Sequence, residues 1–113
     1  MANYYTDHPE FEFYLNHPEM KRIVELKERG FADKAQYADA PVDFDDAIEN
    51  YKKLLEITGD IAANILEPNA EDVDLEGPHL VDGRMVYASK TFDNLDATRK
   101  AGLWGVSMPR RYG

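Results

Sequence analysis

Asp43-Phe-Asp-Asp-Ala-Ile-Glu-Asn-Tyr-Lys-Lys-Leu-Leu-Glu-Ile-Thr-Gly-Asp-Ile-Ala-Ala-Asn-Ile-Leu66 carries apolar residues at Phe44, Ala47, Ile48, Tyr51, Leu54, Leu55, Ile61, Ala62 and Ile65. That spacing is one continuous face of an α-helix. Asp43 suits its N-cap. The opposite face holds Asp45, Glu49, Lys52, Lys53, Glu56 and Asp60, with Glu49 one turn before Lys53 for a modest ion pair. A helix over Phe44–Leu66 is about 34 Å long. Gly59 weakens it locally, a concession that suits close packing, and Pro68 is expected to stop it.

Upstream, Asp7-His8-Pro9-Glu10 and Asn16-His17-Pro18-Glu19 share one form. Asp7 and Asn16 are expected to cap two helix starts, proline being harmless in a first turn, with Glu10 and Glu19 reaching back as capping-box partners. The first helix is short and carries Phe11, Tyr14 and Leu15. The second carries Met20, Ile23, Val24 and Leu26 and ends at Gly30 behind Lys27 and Arg29, charges that suit a helix C-terminus. Phe31 to Val42 has no sustained period and reads as a loop or irregular helical turn.

Downstream, Glu67 to Asp82 holds six carboxylates and no Lys or Arg, so a solvated connection is expected. His79 to Tyr87 reads as a hairpin, with Asp82-Gly83 at the left-handed positions of a two-residue turn. A last helix runs from about Thr91 to Ala101 with Phe92 and Leu95 inward, and Gly102 turns left-handed behind it. The fold class is all-α, a predominantly helical orthogonal bundle, with one small β-hairpin. The domain division is residues 1–43, an N-terminal helical extension, and residues 44–113.

The 113 residues include 13 basic and 22 acidic side chains, a net charge of -9, which argues against nucleic-acid backbones and anionic membranes. With 43% apolar residues a core is available. Zero cysteines exclude disulfides and thiolate metal sites and fit a reducing compartment. The first residues lack a basic segment followed by an apolar one, and no apolar run reaches membrane-spanning length, so a cytoplasmic location is expected.

Catalytic constellations are not found. Asp72-x-Asp74-x-Glu76-Gly77 opens like a calcium loop, but Gly83 stands where the bidentate glutamate belongs, so an acidic loop is preferred. His8, His17 and His79 show no helical metal-site pairing and read as structural or surface residues. The Asp45-Asp46 pair lies on the polar face of the long helix, where nothing separates two carboxylate pKa values. Phosphate-cradling glycine motifs are absent. Arg110-Arg111 is expected to form ion pairs with a neighbouring domain. Trp104, Met108 and Tyr112 are expected in core or inter-domain packing.

The run from Ala101 to Gly113 has the pattern A-G-L-x-G-x-x-x-P-x-x-Y-G. It resembles the end of the N-terminal helical domain of acyl-CoA dehydrogenases. Ile65-Leu66-Glu67-Pro68-Asn69-Ala70 resembles that family's first long helix ending in a proline, and Asp74-Leu75-Glu76-Gly77 its acidic, glycine-containing connection. The resemblance covers about Phe44 to Gly113; residues 1–43 and Pro78–Ala88 resemble the extra pieces of a larger subgroup.

The resemblance implies a β-domain and a helical bundle after Gly113, FAD held between those two and a neighbouring subunit, and a catalytic glutamate in the C-terminal part. It implies an acyl-CoA thioester as substrate, an acceptor such as electron-transfer flavoprotein, and a homo-oligomer. No catalytic, cofactor-binding or metal-binding residue carries over to these 113 positions. Leu103, Trp104, Met108, Pro109 and Tyr112 are implied as contributors to an acyl-cavity wall or a domain junction, and the chain alone as inactive. The competing reading is a free-standing acidic helical interaction module with no catalysis.

Overall fold

The computed structural model describes residues 1–112, so the expected turn at Gly113 lies outside them. Among these residues run α1 (Glu10–Leu15), α2 (Met20–Lys27), a 3-10 segment (Arg29–Ala35), α3 (Phe44–Ile61), α4 (Glu67–Glu76), β1 (His79–Val81), β2 (Arg84–Val86) and α5 (Ser89–Lys100). Short 3-10 turns follow at Leu103–Gly105 and Arg110–Tyr112. The predominantly helical class with one antiparallel hairpin is borne out.

Asp43 caps α3 as expected: its Oδ1 accepts from the Asp46 backbone N–H at 2.9 Å, and the Asp46 carboxylate accepts from the Val42 N–H at 2.9 Å. Two otherwise free donors are thereby satisfied at the entry to the main helix. Asp43→Ala is expected to cost about 1 kcal/mol. In thermal unfolding followed by circular dichroism that is a fall of about 4–8 °C.

The expected stop at Pro68 does not occur. A π-turn over Ala62–Leu66 joins α3 directly to α4, with helical dihedral angles at both joints, so the helix runs on to Glu76. In an α-helix the Pro68 ring would meet the carbonyl four residues back. The wider turn immediately before it relieves that contact, and proline has no N–H to leave unpaired. The acidic stretch expected as a connection is therefore helical as far as Gly77. From Phe44 to Glu76 the combined helix is about 50 Å long, which accounts for the longest molecular dimension, 52 Å.

The N-terminal residues lie along this helix, anchored near Gly59. The Tyr4 N–H donates to the Gly59 carbonyl (3.1 Å), the Asn3 side chain to the Glu56 carbonyl (2.9 Å) and the Asn64 side chain to the Ala2 carbonyl (2.9 Å). Tyr5 is buried there and its hydroxyl donates to Glu12, which also pairs with Lys52 at 3.0 Å. Burial first, then this hydrogen bond, pushes the Tyr5 phenol up to about 12.

Asp7 and Asn16 do not cap α1 and α2. The helices start later, behind Pro9 and Glu19, two and three residues beyond the expected caps, with no side-chain cap at either residue and no reach-back by Glu10 or Glu19. Asp7 instead accepts from the Asn3 N–H (2.8 Å), and the Glu19 N–H donates to His17 Nδ1 (3.1 Å). Of the apolar residues expected along α2, Val24 is fully buried, whereas Ile23 and Leu26 are exposed.

The hairpin register is His79 opposite Val86, Leu80 opposite Met85 and Val81 opposite Arg84. Asp82 (φ 49°) and Gly83 (φ 74°) form the expected left-handed turn. α5 ends as expected, with Gly102 left-handed at φ 74°. Its face assignment is reversed. Thr91, Asn94, Ala97 and Thr98 are half-buried, and Asn94 meets Asn69 of α4 side chain to side chain at 2.8 Å. Phe92 and Leu95 point outward. The N-terminus of α5 is capped from α4, where the Glu76 carboxylate accepts from both the backbone N–H and the hydroxyl of Ser89 at 2.9 Å.

Candidate functional site

The five residues that the resemblance implies follow α5. Leu103 is half-buried; Trp104, Met108, Pro109 and Tyr112 are exposed. The Trp104 indole N–H donates to Thr98 Oγ1 at 3.0 Å, tying the first turn of the segment to α5 while leaving the ring 57% accessible. Phe92 at 53%, Leu95 at 43% and Tyr87, stacked edge-on against Phe92, extend the exposed apolar surface from α5 to the hairpin exit.

This exposure is part of a general excess. The accessible surface is 8466 Å². A compact monomer of this mass exposes about 6,300 Å². The radius of gyration, 17.8 Å, likewise exceeds the roughly 13 Å of a compact chain this long.

On another side, segment 105–111 faces the N-terminal extension across a cleft of about 1260 Å³. One residue that sequence reasoning passed over organises it. Glu28 is 2% exposed. Its Oε1 accepts from the Tyr51 hydroxyl, and its Oε2 from Arg110 Nη1 at 3.0 Å. The same Arg110 nitrogen donates to Asp33 at 3.2 Å, and Asp33 pairs with Arg29. Arg110 was expected to seek a neighbouring domain; its partners lie in its own chain. Burial opposes the Arg110 charge, but hydrogen bonds to Glu28 and Asp33 outweigh it and raise the guanidinium pKa. Burial and the bond to Glu28 raise the Tyr51 phenol pKa as well.

In sequence, Lys27-Glu28-Arg29 looks like a charged helix end at the surface. The available signal was spacing: Glu28 lies one turn after Val24, hence on the same inward face. Chemically this arrangement holds rather than reacts. Both oxygens of Glu28 are occupied by donors, Tyr51 and Arg110.

The other motifs do not converge. Asp72 and Glu76, four apart on α4, share a face, whereas Asp74 between them points to another side, so the three carboxylates do not gather. Each histidine ring has a local backbone contact: His8 with the Tyr4 carbonyl, His17 with the Glu19 N–H, His79 with the Gly77 carbonyl. Among the described residues no helix is long and apolar enough to cross a membrane. Comparisons with family models, curated proteins and solved structures give no match.

Proposed function

We propose that this chain is the N-terminal helical domain of an FAD-dependent acyl-CoA dehydrogenase, docking on flavin-binding domains and helping to wall the acyl cavity. The observation that supports it is the outward apolar face of Phe92, Leu95 and Trp104. The chain as a whole exposes roughly 2,000 Å² more than a compact monomer of its mass. Large apolar side chains left exposed side by side on one helix face suit packing against another domain. The chemistry, removal of an α-proton with hydride transfer to flavin, would come from residues outside these 113. This chain supplies packing, exclusion of water and the position of the junction. The finer roles of FAD, acyl-CoA, an acceptor such as electron-transfer flavoprotein and homo-oligomerisation belong to this same proposal.

The native protein, isolated from its source, is expected to be several times heavier than 12.9 kDa. It should carry a yellow flavin that bleaches when an acyl-CoA thioester is added. A flavin-free native protein of this chain's own mass would remove the dehydrogenase reading and leave the acidic interaction module.

A further inference from the structure

We propose that the N-terminal extension positions the junction segment through a clasp, with Glu28 as the positioning residue and Arg110 as the group it holds. Three observations converge on it. The Glu28 side chain is 1% exposed, yet its partner Arg110 lies 82 positions away in a chain of 113, so the contact closes most of the chain into one loop. Arg110 is gripped on a second side by Asp33 at 3.2 Å. Between the two carboxylates, Arg29, Gly30 and Phe31 stand in succession at φ 52°, 63° and 60°.

A left-handed run that includes a bulky aromatic is unfavourable for L-residues and persists only where surrounding contacts enforce it. Here those contacts are the Phe31 N–H donated to the Glu28 carbonyl at 2.8 Å and the two carboxylates closing on Arg110. The clasp therefore pins two things at once: a strained turn in the extension and the end of the junction segment, bearing Met108 and Tyr112. Opening it frees both together. Position of the junction becomes a property of the extension, whatever partner covers the apolar face.

Backbone hydrogen exchange on the full 113-residue chain tests this. Glu28→Gln keeps the shape and removes the charge. It is expected to speed exchange at Met108 and Tyr112, and at Phe31 in parallel, by about tenfold or more. Amides within α3 and α5 should keep their protection. Asp33→Asn, which leaves the Glu28–Arg110 bond in place, should give the same pattern at about threefold. If Glu28→Gln unfolds the chain, Asp33→Asn alone decides. Unchanged exchange at these amides, or a rise spread evenly over all helices, overturns the clasp.

Discussion

Gly59→Ala is expected to detach the N-terminal turn from the main helix while leaving the helix intact. A Cβ on Gly59 would stand 2.3 Å from Asn3 Oδ1 and 2.6 Å from the Tyr5 backbone nitrogen. Backbone is involved, so no side-chain rotation resolves the clash. Asn3 Oδ1 accepts from the Tyr5 and Thr6 N–H groups, so the turn must move as a unit. The Tyr4 bond to the Gly59 carbonyl and the burial of Tyr5 go with it.

Two effects oppose each other in this variant. Alanine favours the helix by about 1 kcal/mol over glycine, whereas overpacking costs typically 1–3 kcal/mol. Global stability should therefore fall by up to about 2 kcal/mol, with the loss concentrated in the N-terminal residues. Tyr5 is the reporter. Its native phenol is raised from 10.0 to about 12. A proton held more tightly in the native state stabilises it fully below the unfolded value, and that contribution fades as pH rises through the native one. Native protein should thus release this turn between about pH 10 and 12. In Gly59→Ala, Tyr5 should titrate near 10, as read by ultraviolet absorbance or NMR. A Tyr5 still raised in the variant would mean that the turn tolerates the methyl group.

The second large effect concerns the outward face. The chain by itself is expected to self-associate through Phe92, Leu95 and Trp104, because large apolar side chains exposed together find a partner when their own is absent. Sedimentation equilibrium should give a mass above 12.9 kDa that grows with concentration. Phe92→Asp with Leu95→Lys should weaken association at least about tenfold, since aromatic anchors dominate such contacts. The helix itself should survive, because neither residue faces α4. A monodisperse monomer of the unsubstituted chain at high concentration would count against this face as a docking surface, and with it against the domain reading.

The features legible in the residue order are those with local causes. The apolar period of Phe44 to Ile65 makes one helix face, Asp43 caps it, Asp82-Gly83 turns the hairpin and Gly102 ends α5, each within a few residues of its own signal. The Glu49–Lys53 ion pair at 2.8 Å follows from helical spacing alone. A need for close approach at Gly59 was also readable, though its partner 56 positions upstream was not.

Tertiary structure decided the rest. α5 has a polar face and an apolar face in any environment, and its sequence does not say which one turns inward. The Asn69–Asn94 contact and the Glu76 cap on Ser89 settle that. Pro68 carries a strong local stop signal, overridden because the preceding turn widens and the continued helix packs against α5. Glu28 reads as a surface charge until Arg110 and Tyr51 arrive from distant parts of the chain and satisfy it. Local periodicity sets which elements form. Which faces they bury depends on partners far along the chain, whose hydrogen bonds and charges have no trace in the neighbouring residues.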